Sequence, residues 1–304
     1  MKNTARKKEK LEILYIDEYL CVINKPSGLL SVPYPASHTK TALSLLEEIM
    51  HKNGTWKAGH RPFAVHRLDR DTSGVMVFAL SEKVQKKMMD SWHTCVTQRL
   101  YRAVAENPKN ESLFLSDSGL IDDNLAFNAH NQGFVPKKTD SAEKNAELKT
   151  VPARTNYKIL FRGKTHTLFE LSLDTGKKNQ IRAHLASKGY PLAGDENYRA
   201  RTDNFGRLCL HAATLEFIHP YTEKTLKFEV KEPETWLEYV KKGDFHPETP
   251  VWIKELHEKF ENTKGEHFHS RGHGNTENFP PEKRLSRKQT SKKYFIEAGK
   301  KRGR

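Results

Sequence analysis

The stretch HRLDRDTSG, residues 66–74, runs directly into the apolar segment 75–80, and this junction constrains the fold more than any other part of the sequence. A continuous apolar run with β-branched residues predicts a buried strand. A loop that enters such a strand is held in place by the core, and loops on a rigid scaffold often carry functional residues. The junction therefore predicts a core strand with a charged, hydrogen-bonding loop at its entry.

Asp69 is the catalytic candidate in this loop. Arg67 lies two residues before it and Arg70 directly after it, and nearby cations favour the ionised carboxylate that a nucleophile needs. A charged cluster before a strand is also typical of a solvated loop or of a structural ion-pair network. The chemistry of these residues by itself leaves both interpretations open.

Net charge predicts a polyanionic partner. The 304 residues carry a formal charge of +14, and nucleic acid is the leading candidate for such a partner. Residues 1–10 hold five lysines or arginines and one glutamate, and residues 282–304 hold ten and two, which leaves +2 for residues 11–281. Basic ends of this kind are typical of nucleic-acid-binding arms.

Cysteine usage and hydropathy predict a cytoplasmic protein. The three cysteines show no CxxC spacing, so they form neither a disulfide framework nor a zinc site on their own. The basic N-terminus has no apolar segment behind it, which argues against a secretory signal. No run of 18 apolar residues is present, so we expect no membrane span. His211 and His219 have no further ligand at metal-binding spacing, and we predict no metal site.

HRLD followed by TSG resembles the signature of the RluA-type pseudouridine synthases. The resemblance extends to NKPSGLLSVP at 24–33, to a basic-x-Tyr-x-Ala segment at 99–103 and to Thr-Gly followed by Gln-Ile-Arg-x-His at 175–184. It covers roughly residues 12–240. It implies the pseudouridine synthase fold, an α+β arrangement of a mixed, mainly antiparallel sheet with flanking helices and a central catalytic cleft.

Composition and resemblance together predict three regions. Residues 1–10 form a basic N-terminal arm, residues 11–242 the catalytic domain, and residues 243–304 a basic, largely disordered C-terminal extension with too little apolar surface to offset the entropy of ordering. Residues 106–154 are polar and lysine-rich, and we predict a mobile connection or an RNA-facing insertion there. Residues 41–51 and 82–97 read as helices, and Trp92 as a core residue of the second.

The resemblance implies roles for individual residues. Asp69 takes the place of the catalytic aspartate, Tyr101 that of a tyrosine that lines the uracil pocket, and Arg182 that of an arginine that pairs with the aspartate. A bidentate arginine fork would hold that carboxylate ionised. Four further residues are expected to contact the substrate: Lys25, His66, Arg67, which would take the place of the flipped base, and Gln180.

Two adjacent positions depart from the commonest form of the family. The family's most frequent motif has Thr-His directly before Gln-Ile-Arg, and Lys178-Asn179 stands there in this chain. Arg182 is intact, but the role of that histidine does not carry over.

The resemblance implies that the chain isomerises uridine in structured RNA, such as large-subunit rRNA or tRNA. The N-glycosidic bond breaks, the uracil turns and a C–C glycosidic bond forms, without cofactor, nucleotide or metal. The uridine must leave the base stack to reach Asp69. We expect a monomer. Two alternatives remain open: a non-catalytic RNA-binding protein, which would explain the charge, and an RNA hydrolase that uses aspartate and histidine.

Overall fold

The computed structural model describes residues 11–34, 39–136 and 148–242, so the predicted arm 1–10 and extension 243–304 lie outside the described residues. The strands within them are β1 (Glu12–Ile16), β2 (Leu20–Lys25), β3 (Phe63–Ala64), β4 (Ser73–Ala79), β5 (Val96–Glu106), β6 (Ser118–Ile121), β7 (Ala126–Phe127), β8 (Gly133–Phe134), β9 (Thr155–Arg162), β10 (His166–Leu173), β11 (Leu210–Ile218) and β12 (Thr225–Glu229). The helices are α1 (Ala42–Lys52), α2 (Glu82–Asp90), α3 (Trp92–Cys95), α4 (Gln180–Ser187) and α5 (Glu234–Lys242).

Ten of the described strands form one sheet. Eight lie in the order β1-β2-β4-β11-β5-β10-β9-β6, while β12 pairs with β11 and β3 with β4. Among these strands β4 and β11 make a parallel pair, and the other pairs are antiparallel. The predicted α+β fold with a mixed, mainly antiparallel sheet is confirmed.

Helices cover both faces of this sheet. Leu46 of α1 and Leu185 of α4 pack on one face. Met88 of α2 and Trp236 of α5 pack on the other. Because both faces are covered, β4 is buried along its whole length, as the apolar run after HRLDRDTSG predicts.

Helix α1 begins one residue after the predicted start at residue 41. The Thr41 hydroxyl accepts the backbone N–H of Ser44 at 3.1 Å, and the Ser44 hydroxyl accepts the N–H of Thr41 at 2.9 Å. This reciprocal cap satisfies two N–H groups that lie outside the helical hydrogen-bond ladder.

The predicted helix 82–97 is interrupted. Helix α2 ends at Asp90, the single turn α3 follows, and residue 96 already begins β5. Val96 pairs with Phe217 of β11 and, like Thr97, is β-branched, so pairing with the central strand overrides the helical pattern there. The helix prediction was wrong at Ser91, where the two helices are separated, and for residues 96 and 97, which belong to β5.

The described parts of residues 106–154 are folded rather than a mobile connection. Strand β6 adds to the edge of β9, and Leu125 and Ala153 are buried against Ala183 of α4. His184 of α4 bonds to the carbonyl of Asp123 at 2.9 Å. Helix α4 holds this segment in place, a contact that local composition does not encode.

Candidate active site

A cleft of about 420 Å³ opens over the middle of the sheet. Its volume lies within the ~300–1,000 Å³ that is typical of small-ligand sites. Its walls come from the loop before β4, the start of β5, the loop between β10 and α4, and the first turn of α4. Its lining includes His66, Arg67, Asp69, Trp92, Arg99, Tyr101, Lys177, Lys178, Asn179, Gln180 and Arg182. Six of the seven predicted site residues therefore lie at one place, and Lys25 does not.

The loop that carries Asp69 is tied to the segment 24–31. The Ser31 hydroxyl donates to the carbonyl of Leu68 at 2.7 Å and accepts the N–H of the same residue at 3.1 Å. The Ser27 hydroxyl donates to the carbonyl of Asp71 at 2.7 Å. These bonds hold the backbone on both sides of Asp69.

Lys25 takes part in these contacts between segment 24–31 and the Asp69 loop, and this corrects its predicted role in substrate binding. Its ammonium group is fully buried and donates to the carbonyls of Pro26, Leu29 and Arg70 at 2.9, 2.7 and 2.9 Å. Burial lowers the pKa of Lys25 to about 8. With three donors used by three carbonyls, Lys25 anchors the loop and has no N–H left for a substrate.

Arg182 on the first turn of α4 is held from two directions. Its Nε and Nη2 donate to the Oδ2 and Oδ1 atoms of Asp195 at 2.7 and 2.8 Å, and its guanidinium lies 5.0 Å from the ring centroid of Tyr198. Asp195, which is 2% exposed, raises the pKa of Arg182 above its usual range. The third nitrogen, Nη1, donates to Oδ2 of Asp69 at 3.3 Å.

The pairing of Arg182 with Asp69 is confirmed, but the predicted fork between them is wrong. The two parallel bonds of the guanidinium go to Asp195, and Asp69 receives one bond from the remaining nitrogen. Asp195 was not predicted as a site residue, because it lies 13 positions after Arg182 and meets it only in the folded chain.

Asn179 is a second neighbour of Asp69. Its Nδ2 donates to Oδ2 of Asp69 at 2.6 Å, the same oxygen that Arg182 contacts. The Asp69 side chain is 28% exposed, so it remains accessible from the cleft. The departure from the family motif at this position was the available signal for Asn179.

Tyr101 forms part of the cleft wall on β5. It lies between Leu171 of β10 and Ala212 of β11. Its ring packs against the buried side chains around α1 and against those around α4. Burial and the nearby charge of Asp69 raise the pKa of its phenol, so the hydroxyl stays protonated at neutral pH. Among the described residues no hydrogen-bond partner occupies this hydroxyl, which leaves it available to a ligand.

His66 and Trp92 make a stacked aromatic wall. Their ring centroids are 4.9 Å apart, and Nε2 of His66 accepts the backbone N–H of Val77 at 3.1 Å. Burial lowers the pKa of His66 to about 3, which keeps the ring neutral. Trp92 is half-buried and borders the cleft, so its prediction as a pure core residue was incomplete.

Gln180 lies at the buried end of the cleft, and Arg67 lies at its exposed rim. Gln180 is 2% exposed, accepts bonds from Thr175 and the N–H of Lys177, and donates to the Arg154 carbonyl and to Thr155. These contacts use its amide, so Gln180 shapes the 175–179 turn instead of binding substrate as predicted. Arg67 is exposed at the rim, with its guanidinium 5.9 Å from the ring centroid of Tyr34.

The cleft is strongly basic although the folded body is nearly neutral. Its described lining carries five lysines or arginines at positions 67, 99, 177, 178 and 182, against the single carboxylate of Asp69. A concave site lined by one sign of charge concentrates the field and attracts ligands of the opposite sign. The cleft can therefore receive a polyanion around one reactive carboxylate.

Histidines that could suggest a metal site have other partners. His211 bonds to the Ser73 hydroxyl and to the Val230 carbonyl, and His219 bonds to Asp17. No group of three or more metal-ligating side chains occurs among the described residues. In the described part of the chain, no helix is long and apolar enough to cross a membrane.

Comparison with known proteins gives consistent matches. A family model described as RNA pseudouridylate synthase matches residues 19–187. The chain is 32% identical over 238 residues to ribosomal large subunit pseudouridine synthase D of Xylella fastidiosa, a match that covers 74% of this chain and 66% of that protein. It is 31% identical over 249 residues to tRNA pseudouridine synthase C of Vibrio parahaemolyticus, covering 75% of this chain and 92% of that protein.

A solved structure shares the fold. Human RNA pseudouridylate synthase domain containing 4 superposes with a TM-score of 0.55 at 22% sequence identity. The superposition covers 74% of this chain and 90% of the human one. The arrangement of the strands and helices is thus a known one.

Proposed function

The chain belongs to the RNA pseudouridylate synthase family of the RluA type, and from this premise we propose that it isomerises uridine to pseudouridine in structured RNA. The observation that carries the proposal is the Asp69 carboxylate, held by Arg182 at the floor of a basic cleft and facing the Tyr101 wall. A pure binding surface has no need of a buried arginine that is anchored by a second acid.

The side chains divide the work of the reaction. Asp69 acts as nucleophile or base while the N-glycosidic bond breaks and the C–C bond forms, and Arg182 holds its carboxylate through the contact at 3.3 Å. Tyr101 supports the uracil, and its free hydroxyl can donate a hydrogen bond or relay a proton. The neutral wall of His66 and Trp92 offers an apolar surface to a flipped base.

The rest of the cleft fits an RNA backbone. Lys177 and Lys178 are exposed on the turn before α4 and can contact phosphates without reading sequence. Arg67 is exposed at the rim beside Tyr34, where it can take the place of the flipped base as the family resemblance implies. The relatives named for ribosomal RNA and for tRNA make both classes of RNA candidate substrates.

We further place the reaction in the cytoplasm and expect the chain to act as a monomer, without a cofactor. Cys21, Cys95 and Cys209 are all free, which suits a reducing compartment.

Asp69→Asn provides the direct test. The substitution keeps the shape of the side chain and removes its charge, so we expect pseudouridine formation to be lost while RNA binding is largely kept. Total RNA is incubated with either protein, new pseudouridines are mapped at nucleotide resolution, and affinity is measured separately.

The same assay separates the alternatives. New pseudouridine with the unchanged protein supports the proposal, and its position identifies the substrate. RNA cleavage would favour the hydrolase, and binding without either product would favour the non-catalytic RNA-binding protein. Activity of Asp69→Asn within about tenfold of the unchanged protein would remove Asp69 from the reaction.

A further inference from the structure

Asn179 occupies an unusual backbone position next to the proposed catalytic carboxylate. It is the residue that precedes α4, and its φ of 56° and ψ of 19° are left-handed. Its carbonyl accepts the N–H of Ala183 at 2.9 Å, the first hydrogen bond of the helix. Asparagine tolerates this conformation better than most side chains, so the backbone explains part of the residue choice.

The side chain of Asn179 does not do what an asparagine at a helix start usually does. Such a residue normally caps the helix by accepting an N–H two or three positions on. Here no side-chain cap is formed, and Nδ2 donates to Oδ2 of Asp69 at 2.6 Å across 110 residues of sequence. The side-chain amide of Asn179 therefore bonds to the Asp69 carboxylate and does not cap the helix.

Two donors converge on one oxygen of Asp69. Asn179 contributes a neutral N–H at 2.6 Å and Arg182 a cationic N–H at 3.3 Å, and both meet Oδ2. No described residue donates to Oδ1, the other oxygen of the same carboxylate. A carboxylate held in this way has a fixed orientation and one unoccupied oxygen.

We propose that Asn179 is a positioning residue which, together with Arg182, fixes Oδ2 of Asp69 and thereby presents Oδ1 to the uridine. This assignment rests on the proposed function. A neutral amide suits the role because it favours the ionised carboxylate without adding a second cation that could form a competing ion pair.

Other groups that face Asp69 set the background for a pH test. They are Arg182 and Tyr198 on the α4 side, Tyr101 on β5 and Lys25 from the segment 24–31. The lysines of the 175–179 turn also line the cleft. A substitution at Asn179 leaves all of these side chains in the protein. A change on the acidic side of the pH–rate profile therefore reports on the Asn179 amide.

Three substitutions test the assignment. Asn179→Gly tolerates the left-handed backbone and removes the amide, Asn179→Asp keeps the shape and adds a like charge, and Asn179→His keeps both a ring N–H donor and tolerance of positive φ. Asn131→Gly is the matched control, because Asn131 is an exposed asparagine with a φ of 54° away from the cleft lining.

Single-turnover pseudouridine formation is measured across pH at saturating RNA. We expect Asn179→Gly to lose about 10- to 100-fold in rate, the size of one hydrogen bond to a charged group. The acidic side of the pH–rate profile of Asn179→Gly should move to higher pH, because a donor to the carboxylate is lost. The profile of Asn179→Asp should move further, because a like charge disfavours the ionised carboxylate. Asn179→His should recover most of the lost rate, and Asn131→Gly should behave as the unchanged protein.

A second measurement is independent of activity. The titration of Asp69 is followed by NMR in protein with ¹³C-labelled aspartate, with the signal assigned by its loss in Asp69→Asn. We expect the midpoint to rise in Asn179→Gly and to rise more in Asn179→Asp. An unchanged midpoint and an unchanged acidic side of the pH–rate profile in both variants would overturn the assignment. A shifted midpoint in a protein that forms no pseudouridine would contradict the proposed function and leave the contact established.

Discussion

At the scale of the residue, Arg182 shows how one side chain can serve two acids. Its planar fork is taken by Asp195, its face lies near Tyr198, and its remaining nitrogen reaches Asp69. The two bonds to Asp195 fix the orientation of the guanidinium. The Nη1 atom therefore meets Asp69 from one defined direction. A point charge could not provide both, because three donors in one rigid plane are needed.

Arg182→Lys is therefore a severe change despite the retained charge. A lysine can reach either Asp195 or Asp69 but cannot bridge them with the same geometry, so we expect a rate loss of roughly 10²-fold or more at saturating RNA. Arg154→Lys is the control, since Arg154 is a half-exposed arginine that forms longer ion pairs with Asp122 and Asp174. Near-normal turnover of Arg182→Lys would show that Arg182 does not orient Asp69.

At the scale of the element, the parallel pair of β4 and β11 sets where the Asp69 loop ends. Ser73 and Gly74 are the residues of β4 that pair with β11, and a Cβ added to Gly74 would lie 2.1 Å from the carbonyl oxygen of Ala212. The φ of Gly74 is +113°, a backbone conformation that residues other than glycine rarely adopt. The glycine that ends HRLDRDTSG is thus required by the close approach of two strands.

Gly74→Ala should destabilise the fold strongly. The added methyl group meets backbone that cannot move without breaking the strand pair, and the positive φ adds strain, so we expect a loss of about 3 kcal/mol in the free energy of unfolding. Urea denaturation of the variant gives the value. Gly59→Ala is the matched control because nothing lies within 4 Å of an added Cβ there, and equal stability of the two variants would contradict the close approach.

At the scale of the whole molecule, positive charge is concentrated in two places besides residues 1–10. One is the cleft, whose described lining holds five cationic side chains around Asp69. The other is residues 282–304, with ten lysines or arginines and two glutamates, outside the described residues. The first would surround the uridine of the proposed reaction, and we expect the second to contact RNA phosphates without reading sequence.

Deleting residues 263–304 should weaken RNA affinity and flatten its dependence on salt, because fewer counterions are released when fewer phosphates are contacted. The single-turnover rate at saturating RNA should stay nearly intact, since the cleft is unchanged. Affinity across a salt series for the full-length and shortened chains measures both effects.

A full-length chain with the ten lysines and arginines of 282–304 replaced by glutamine separates charge from length. It should behave as the shortened chain does. Identical salt slopes for the full-length and shortened chains would remove the C-terminal residues from RNA binding and favour a tether to another partner.

The sequence by itself determined the local features and the candidate for the reactive residue. The apolar run after HRLDRDTSG predicted the buried strand β4, and the pattern of residues 41–51 predicted α1. These features follow from residues within a few positions of one another. Periodicity and capping depend only on such neighbours, so they can be recognised without the fold.

Only the tertiary structure decided how those features combine. It made β11 the partner of β4 and β5 at the centre of the sheet, although its sequence suggested no element, and it buried Lys25 against the catalytic loop. It gave the fork of Arg182 to Asp195 and the amide of Asn179 to Asp69. The contacts of Asp69 join residues 110 and 113 positions apart, and such contacts depend on strand order and loop closure, which local sequence does not encode.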